Sequence, residues 1–263
     1  STNAKDQSFL SIEILGKGCD DVPPAITGPE PADGSLLKNG APRIAARYSD
    51  NANGSGIDGE SVRISLDGAD VTGQSSVSAS GVAYEPSANL PEGRHDVTVK
   101  VSDRARNAAS LDWQFTTDTI APSITISSPN ENQHINTPTI TVSGAVDDDS
   151  ATVSVNGQPA QVSGTGFSLT GVSLSEGQNA VEVEATDRAG NVSRATVNVT
   201  LDSIPPVVAI SSPSADAWFT TPPVTVIGTV NEPVASVTVN RVAATVNGGN
   251  FTVANLSLAE GPN

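Results

Sequence analysis

Apolar residues recur at every second position in short runs along this chain. Between Glu176 and Pro206, Val181, Val183 and Ala185 are separated by single polar residues. The segment Asp187–Asn191 (DRAGN) interrupts the run, and Ala195, Val197, Val199 and Leu201 then alternate again. A period of two gives a strand one buried face and one wet face, so the stretch predicts two strands joined by a tight turn. Asp202-Ser203-Ile204-Pro205-Pro206 ends the pattern as a linker.

The same pattern occurs 84 residues earlier, over Glu92–Pro122, without a gap and with 12 of 31 positions identical. A duplication of that length points to two or three separately cored units rather than one large core. Taken in order, residues 1–18 read as a lone strand with Leu10, Ile12 and Ile14 alternating, either the last strand of a preceding unit or a pairing strand for another chain. The first full unit, 19–118, has predicted strands at Ile44–Tyr48, Val62–Leu66, Val97–Val101 and Leu111–Phe115, with a small, acidic loop at Ser49–Gly59. Asp67-Gly68 predicts a hairpin turn with positive φ. The second unit, 119–202, has predicted strands at Ile124–Ser127, Thr139–Ser143, Thr152–Val155, Phe167–Leu169, Ala180–Ala185 and Ala195–Leu201, with a second tight turn at Asn156-Gly157. The third, 203–263, matches the second at the same offset, with Val237 for Val153, Phe251 for Phe167 and Glu260-Gly261 for Glu176-Gly177. It stops at the counterpart of Asn179 and lacks equivalents of the last two strands, which predicts exposed core and open edges. Continuation of the chain past residue 263 is the simpler reading; strand donation between copies is the other.

No helical period is found, and strands spaced every ~8–14 residues predict an antiparallel sandwich. Composition sharpens this. Aromatic residues are 3% and Met is absent, so the cores must be built from Val, Ile, Leu and Ala, a choice that suits a thin two-sheet sandwich more than a roomy ligand pocket. The net charge of −16 disfavours nucleic acid and anionic lipid as partners. It could attract divalent cations. One cysteine, Cys19, excludes an internal disulfide framework, and is read as an unpaired linker thiol. No run approaches the ~20 apolar residues of a membrane helix. The chain opens Ser-Thr-Asn without Met, as a fragment or mature form would.

With EGQNAVEVEATDRAGN at 176–191, preceded by Val153–Gly157 and Phe167, the chain resembles tandem bacterial immunoglobulin-like modules of cell-surface and secreted proteins. The second and third units are similar to the Ig-like domain of bacterial glucodextranase. The first, with SGID at 55–58, LDG at 66–68 and LPEG at 90–93, is similar to a related variant. In it Arg106 replaces the glycine of the DRAGN turn, which predicts a locally different turn. The resemblance implies fold more than function, because such modules serve proteins of many activities.

Candidate chemistry is sparse. Asp-x-x-x-Pro closes each unit at Asp20–Pro24, Asp118–Pro122 and Asp202–Pro206. The aspartate caps the turn or binds Ca2+ at the junction, as the resemblance to adhesin arrays implies. Calcium takes six to eight oxygens, available from Asp50, Asn51, Asn53 and Asp58 and from Asp147, Asp148 and Asp149. The candidate calcium set is therefore Asp20, Asp50, Asn53, Asp58, Asp118, Asp147, Asp149 and Asp202. Asn231-Glu232-Pro233 stands where the second unit has its Asp triplet, which weakens a repeated site. Asp103 and Asp187 are expected to accept backbone N–H bonds, and Arg104 and Arg188 to form exposed ion pairs. His95 and His134 are expected at the surface and lie in no nucleophile or metal motif. Trp113 reads as a core plug; Trp218 is the aromatic expected to be exposed, and a candidate ligand contact.

The sequence thus predicts an all-β protein of tandem Ig-like antiparallel β-sandwiches arranged as an extended rod. It predicts no enzyme. The functional expectation is a structural stalk or fibre segment, extracellular, at the cell surface or periplasmic, partnered by further Ig-like modules or neighbouring copies. The alternatives are an adhesin or carbohydrate-binding accessory contacting surface glycans or proteins, and a filament subunit assembled by inter-chain strand pairing. No membrane insertion is expected of this segment.

Overall fold

The structure, a computed structural model, describes residues 20–221 and 223–261. The expected strand at 1–18 and Cys19 lie outside the described residues.

The alternating stretches form sheets that pack face to face. Residues 25–117 build a four-stranded sheet in the order Ala25–Glu30, Ile44–Ser49, Gly81–Tyr84, Ser76–Val77, and a five-stranded sheet in the order Ser35–Leu37, Ala108–Thr117, Gly93–Asp103, Ile57–Leu66, Ala69–Asp70. Residues 124–201 repeat this. Their four strands are Ile124–Ser128, Thr139–Val146, Gly166–Ser173 and Gln161–Ser163. Their five are Gln133–Ile135, Val192–Leu201, Gly177–Thr186, Thr152–Val155 and Gln158–Pro159. From Val208 onward the four-stranded sheet recurs as Val208–Ser212, Val224–Val230, Asn250–Leu256 and Thr245–Asn247, beside a two-stranded sheet of Thr238–Val239 and Val242–Ala243. By contact the chain forms two compact units, Ser1–Asn132 with Thr139–Val172 and Ala180–Val199, and Gln133–Pro138 with Ser173–Asn179 and Thr200–Asn263.

The period-two pattern decides which side chains face inward. Val97, Val99 and Val101 are buried on one strand, Val62 and Ile64 on its neighbour, and Trp113 and Phe115 on the next. Ile44, Ala46 and Tyr48 meet them from the opposite sheet. In the second repeat Val153, Val155, Val181, Val183, Val197 and Val199 are buried together with Val142 and Phe167. Each such aliphatic side chain contributes roughly 1.5–3 kcal/mol by leaving water. Trp113 is the core plug its setting implied, only 5% exposed.

The hairpin turns follow their sequences. Asp67 and Gly68 take φ of 52° and 80°, and Asn156 and Gly157 take 48° and 76°.

Several expectations are corrected. Ser35–Leu37 pairs parallel with Phe115–Thr117, so the sandwich is not wholly antiparallel. A three-residue edge strand is too short to carry a readable period. The loop predicted over Ser49–Gly59 ends early, because Ile57 and Asp58 pair with Asp103 and Ser102. Finally, the Arg106 turn does not differ from its copy. Arg106 has φ 75° where Gly190 has 88°, and Asp103 N donates to Asn107 O at 3.0 Å as Asp187 N donates to Asn191 O at 3.1 Å.

Candidate functional site at the linkers

The linker segments are short and rich in proline, so their peptide groups cannot all pair within a sheet. Side chains from the flanking hairpins supply the partners. At Asp118–Pro122, Glu92 accepts from Thr119 N at 2.9 Å with one carboxylate oxygen and from the Thr119 hydroxyl with the other. From the following hairpin, Asn191 Nδ2 donates to Asp118 O at 2.7 Å. The Asn191 amide is aimed by Asp187, whose two oxygens accept Asn191 N and Nδ2, each at 2.8 Å. The linker is thus gripped on successive residues by the hairpin before it and the hairpin after it.

The same grips recur. Glu176 accepts from Ser203 N at 3.0 Å and from the Ser203 hydroxyl at 2.8 Å. Asn107 Nδ2 donates to Asp20 O at 2.9 Å, and is held by Asp103 as Asn191 is by Asp187. Thr119's hydroxyl and N–H hold the Glu92 carboxyl below the usual glutamate range. Burial would raise the Asp187 carboxyl, but the Asn191 side chain and the backbone N–H groups of Asn191, Gly190 and Ala189 outweigh it and lower it.

Of the candidate calcium ligands, Asp20 and Asp50 come together, and Asp103 joins them. Single carboxylate oxygens of the three lie within 4.8 Å of one another, and this is the one such group among the described residues. All six oxygens already have N–H donors. Asp20 accepts from Val22 N, Asn51 Nδ2 and Ser55 N, the last at 2.7 Å. Asp50 accepts from Asn51 N and from Gly56 N at 2.6 Å. Asp103 is occupied by Asn107. The Ser55 N–H, aided by the Ser55 and Asn51 side chains and Val22 N–H, holds the Asp20 carboxyl at about 2. A hard cation here would have to share or displace those donors, so the geometry is first that of a loop cap.

The other candidates are dispersed. Asp58 caps Glu60 N, Asn53 N donates to Asn51, and Asp118 caps Ile120 N. Asp147 accepts from Ser123 N at 2.7 Å, and Asn231 accepts from Val207 N at the same distance. An amide does the work of the carboxylate there, so the position needs an oxygen and not a charge. Asp149 and Asp202 are exposed, and Asp202 N donates to Ile135 O. Trp218 is 97% exposed.

Two further expectations fail. His95 is buried, because it shares the inward face with Val97. Its Nδ1 lies 2.8 Å from Asp67 Oδ2, its Nε2 2.9 Å from Pro91 O and 3.0 Å from Thr117 Oγ1, and its ring packs on Phe115. Asn179 holds the equivalent place, donating to Ser175 O at 2.7 Å. Arg104 and Arg188 form no ion pair among the described residues, since asparagine has taken the neighbouring aspartates. Sequence reasoning also passed over Glu92, Glu176, Asn107 and Asn191. The signal was available, because both types are among the identical positions of the duplication.

Two-sheet sandwiches with repeated topology define a chain of tandem Ig-like modules. Residues 49–119 match the bacterial Ig-like domain family, and residues 122–203 match domain B of glucodextranase, so these stretches are bacterial Ig-like modules. Over 131 residues the chain is 34% identical to bacillopeptidase F of Bacillus subtilis (strain 168), a stretch that is 48% of this chain and 9% of that protein. The fibronectin(III)-like modules of Clostridium thermocellum CbhA share 12% identity at a TM-score of 0.41, covering 67% of this chain and 94% of theirs. The Bacteroides ovatus protein SGBP-B, solved with a mixed-linkage heptasaccharide, shares 14% identity at a TM-score of 0.26, covering 90% of this chain and 62% of its own.

Proposed function

We propose that this chain is a structural spacer, a stalk segment of an extracellular or cell-surface bacterial protein, and not a catalyst. The observation that carries the reading is the two-sided grip on Asp118–Pro122 by Glu92 and Asn191. Its Glu half recurs at Ser203 and its Asn half at Asp20. A linker held from both ends transmits orientation, which a spacer needs and a string of independent binding modules does not. The cores support the same reading, being built mainly of Val, Ile and Leu side chains, while the buried His95, Asp103 and Asp187 are each engaged in hydrogen bonds that hold turns and strand ends.

Pulsed electron resonance on the full chain tests it, with Cys19→Ser and spin labels at the exposed positions Ser80 and Ser163. The expected distance distribution is single and narrow, unchanged by a chelator, and broadened by combined Glu92→Ala and Asn191→Ala. A broad distribution in the parent, or no response to the double substitution, overturns the proposal.

A further inference from the structure

The first module buries a histidine at the root of its linker grip, and its copy does not. His95 is 2% exposed, and every polar neighbour of its ring is an acceptor. Nε2 lies 2.9 Å from Pro91 O, and a carbonyl can only accept. Thr117 commits its hydroxyl hydrogen to Pro91 O at 2.7 Å, so it meets Nε2 at 3.0 Å with a lone pair. Nδ1 lies 2.8 Å from Asp67 Oδ2, while Asp67 Oδ1 accepts Asp96 N at 2.9 Å. An ionised carboxylate can only accept, and imidazole is the stronger base of the two. Both ring nitrogens therefore carry a proton. The buried cation is compensated by Asp67 and by the Phe115 ring, whose centroid is 5.2 Å from its own.

Charged side chains on the surrounding elements are engaged elsewhere. Arg94 pairs with Asp96 on the same strand, and Glu92 holds Thr119. Arg63 donates to Val62 O, and Lys38, beyond the edge strand, donates to Gly190 O. The opposite sheet turns Ile44, Ala46, Tyr48, Val82 and Tyr84 inward.

We propose that doubly protonated His95 is a pH-sensitive clasp, which ties the Asp67-Gly68 turn to Pro91 and to the end of strand Ala108–Thr117 and opens when Nδ1 loses its proton. That proton leaves to solvent past Asp67, whose side chain is 47% exposed. The bare Nδ1 then faces the carboxylate at 2.8 Å, two acceptors with no hydrogen between them. Glu92 follows Pro91 and Asp118 follows Thr117, so an open clasp loosens the hold of Glu92 on Thr119. The clasp is closed on the acid side and lost as pH rises. This holds whether or not the chain acts as a spacer.

The copy supplies the control. At the 84-residue offset Asn179, Ser175 and Leu201 replace His95, Pro91 and Thr117. Asn179 donates to Ser175 O and Gly177 O and accepts from Ser175 N, and an amide does not titrate. Glu176 still holds Ser203 N as Glu92 holds Thr119 N.

NMR of the full chain, which has two histidines, tests the clasp. At a pH where exposed His134 gives the widely split ring-nitrogen resonances of neutral imidazole, His95 is expected to give the matched pair of imidazolium. A split pair for His95 there overturns the proposal. Solvent-exchange NMR then follows the Thr119 and Ser203 amides from about pH 6 to about pH 9. The exchange rate of Thr119 relative to Ser203 should rise roughly tenfold, as expected for the loss of one charged hydrogen bond. A constant ratio overturns the proposal. Asp67→Asn should abolish the rise with the turn intact, since Asn156 in the copy's turn accepts from Glu182 N as Asp67 does from Asp96 N. His134→Gln should leave the rise unchanged. A rise that survives Asp67→Asn, or that needs His134, overturns the proposal and gives the pH dependence to another group.

Discussion

Replacing Arg106 by glycine should stabilise the protein. Arg106 sits at φ 75° in a turn whose copy has Gly190 at 88°. Its amide donates to Asp103 O at 3.1 Å, as Gly190 N donates to Asp187 O at 3.3 Å. The Arg106 side chain is exposed, and its guanidinium makes no hydrogen bond or ion pair among the described residues. A left-handed conformation costs a residue with a Cβ roughly 1–2 kcal/mol. Glycine removes that cost but adds unfolded-state freedom worth about 0.4–1 kcal/mol. The difference leaves Arg106→Gly more stable by about 0.5–1 kcal/mol, or roughly 2–6 °C for a module of ~100 residues. Gly190→Ala should lose a similar amount. A Cβ built there meets nothing nearer than Lys38 Cδ at 4.0 Å, so only the backbone conformation is being read. Scanning calorimetry of the two variants measures both shifts. A lower midpoint for Arg106→Gly, or a higher one for Gly190→Ala, would refute the reasoning.

Packing and charge give two further outcomes. A Cβ at Gly144 would lie 2.1 Å from Thr125 O and 2.7 Å from the Phe167 ring, so Gly144→Ala should destabilise by roughly 1–3 kcal/mol or more. Gly166→Ala, whose nearest contact would be 3.5 Å, is the control, and equal losses in denaturant titrations would contradict this. Thr119 lowers the Glu92 carboxyl, so its stabilising effect is complete above the ordinary glutamate range and is lost as pH falls through the lower folded-state value. The midpoint gap between the parent and Glu92→Gln should therefore be largest near neutral pH and close in acid; a gap that widens in acid would refute it.

The strands were legible wherever alternation ran for five or more residues, as in Val97–Val101 and Ala195–Leu201, because burial on one face leaves a period of two. Ser35–Leu37 was not, since its partner lies some eighty residues away and nothing local selects a parallel edge. His95 was misplaced by its polarity, although its parity with Val97 put it inside. Asp103 escaped the metal set because its neighbours in space, Asp20 and Asp50, are distant in sequence. Asp147 entered it because a run of three acids suggests ligands, whereas Asn231 in the copy shows that the fold asks only for an acceptor. The linker grips were readable in hindsight from the identity of Glu92 with Glu176 and Asn107 with Asn191, yet no single motif names that role.

Small-angle X-ray scattering of the full chain tests the spacer account most directly. Strands of ten residues rising ~3.3 Å each give about 30–40 Å per module, so three in line predict a particle about 90–120 Å long with a radius of gyration near ~30 Å. A compact particle with a radius of gyration near ~18 Å, the value for a globule of this length, would contradict it.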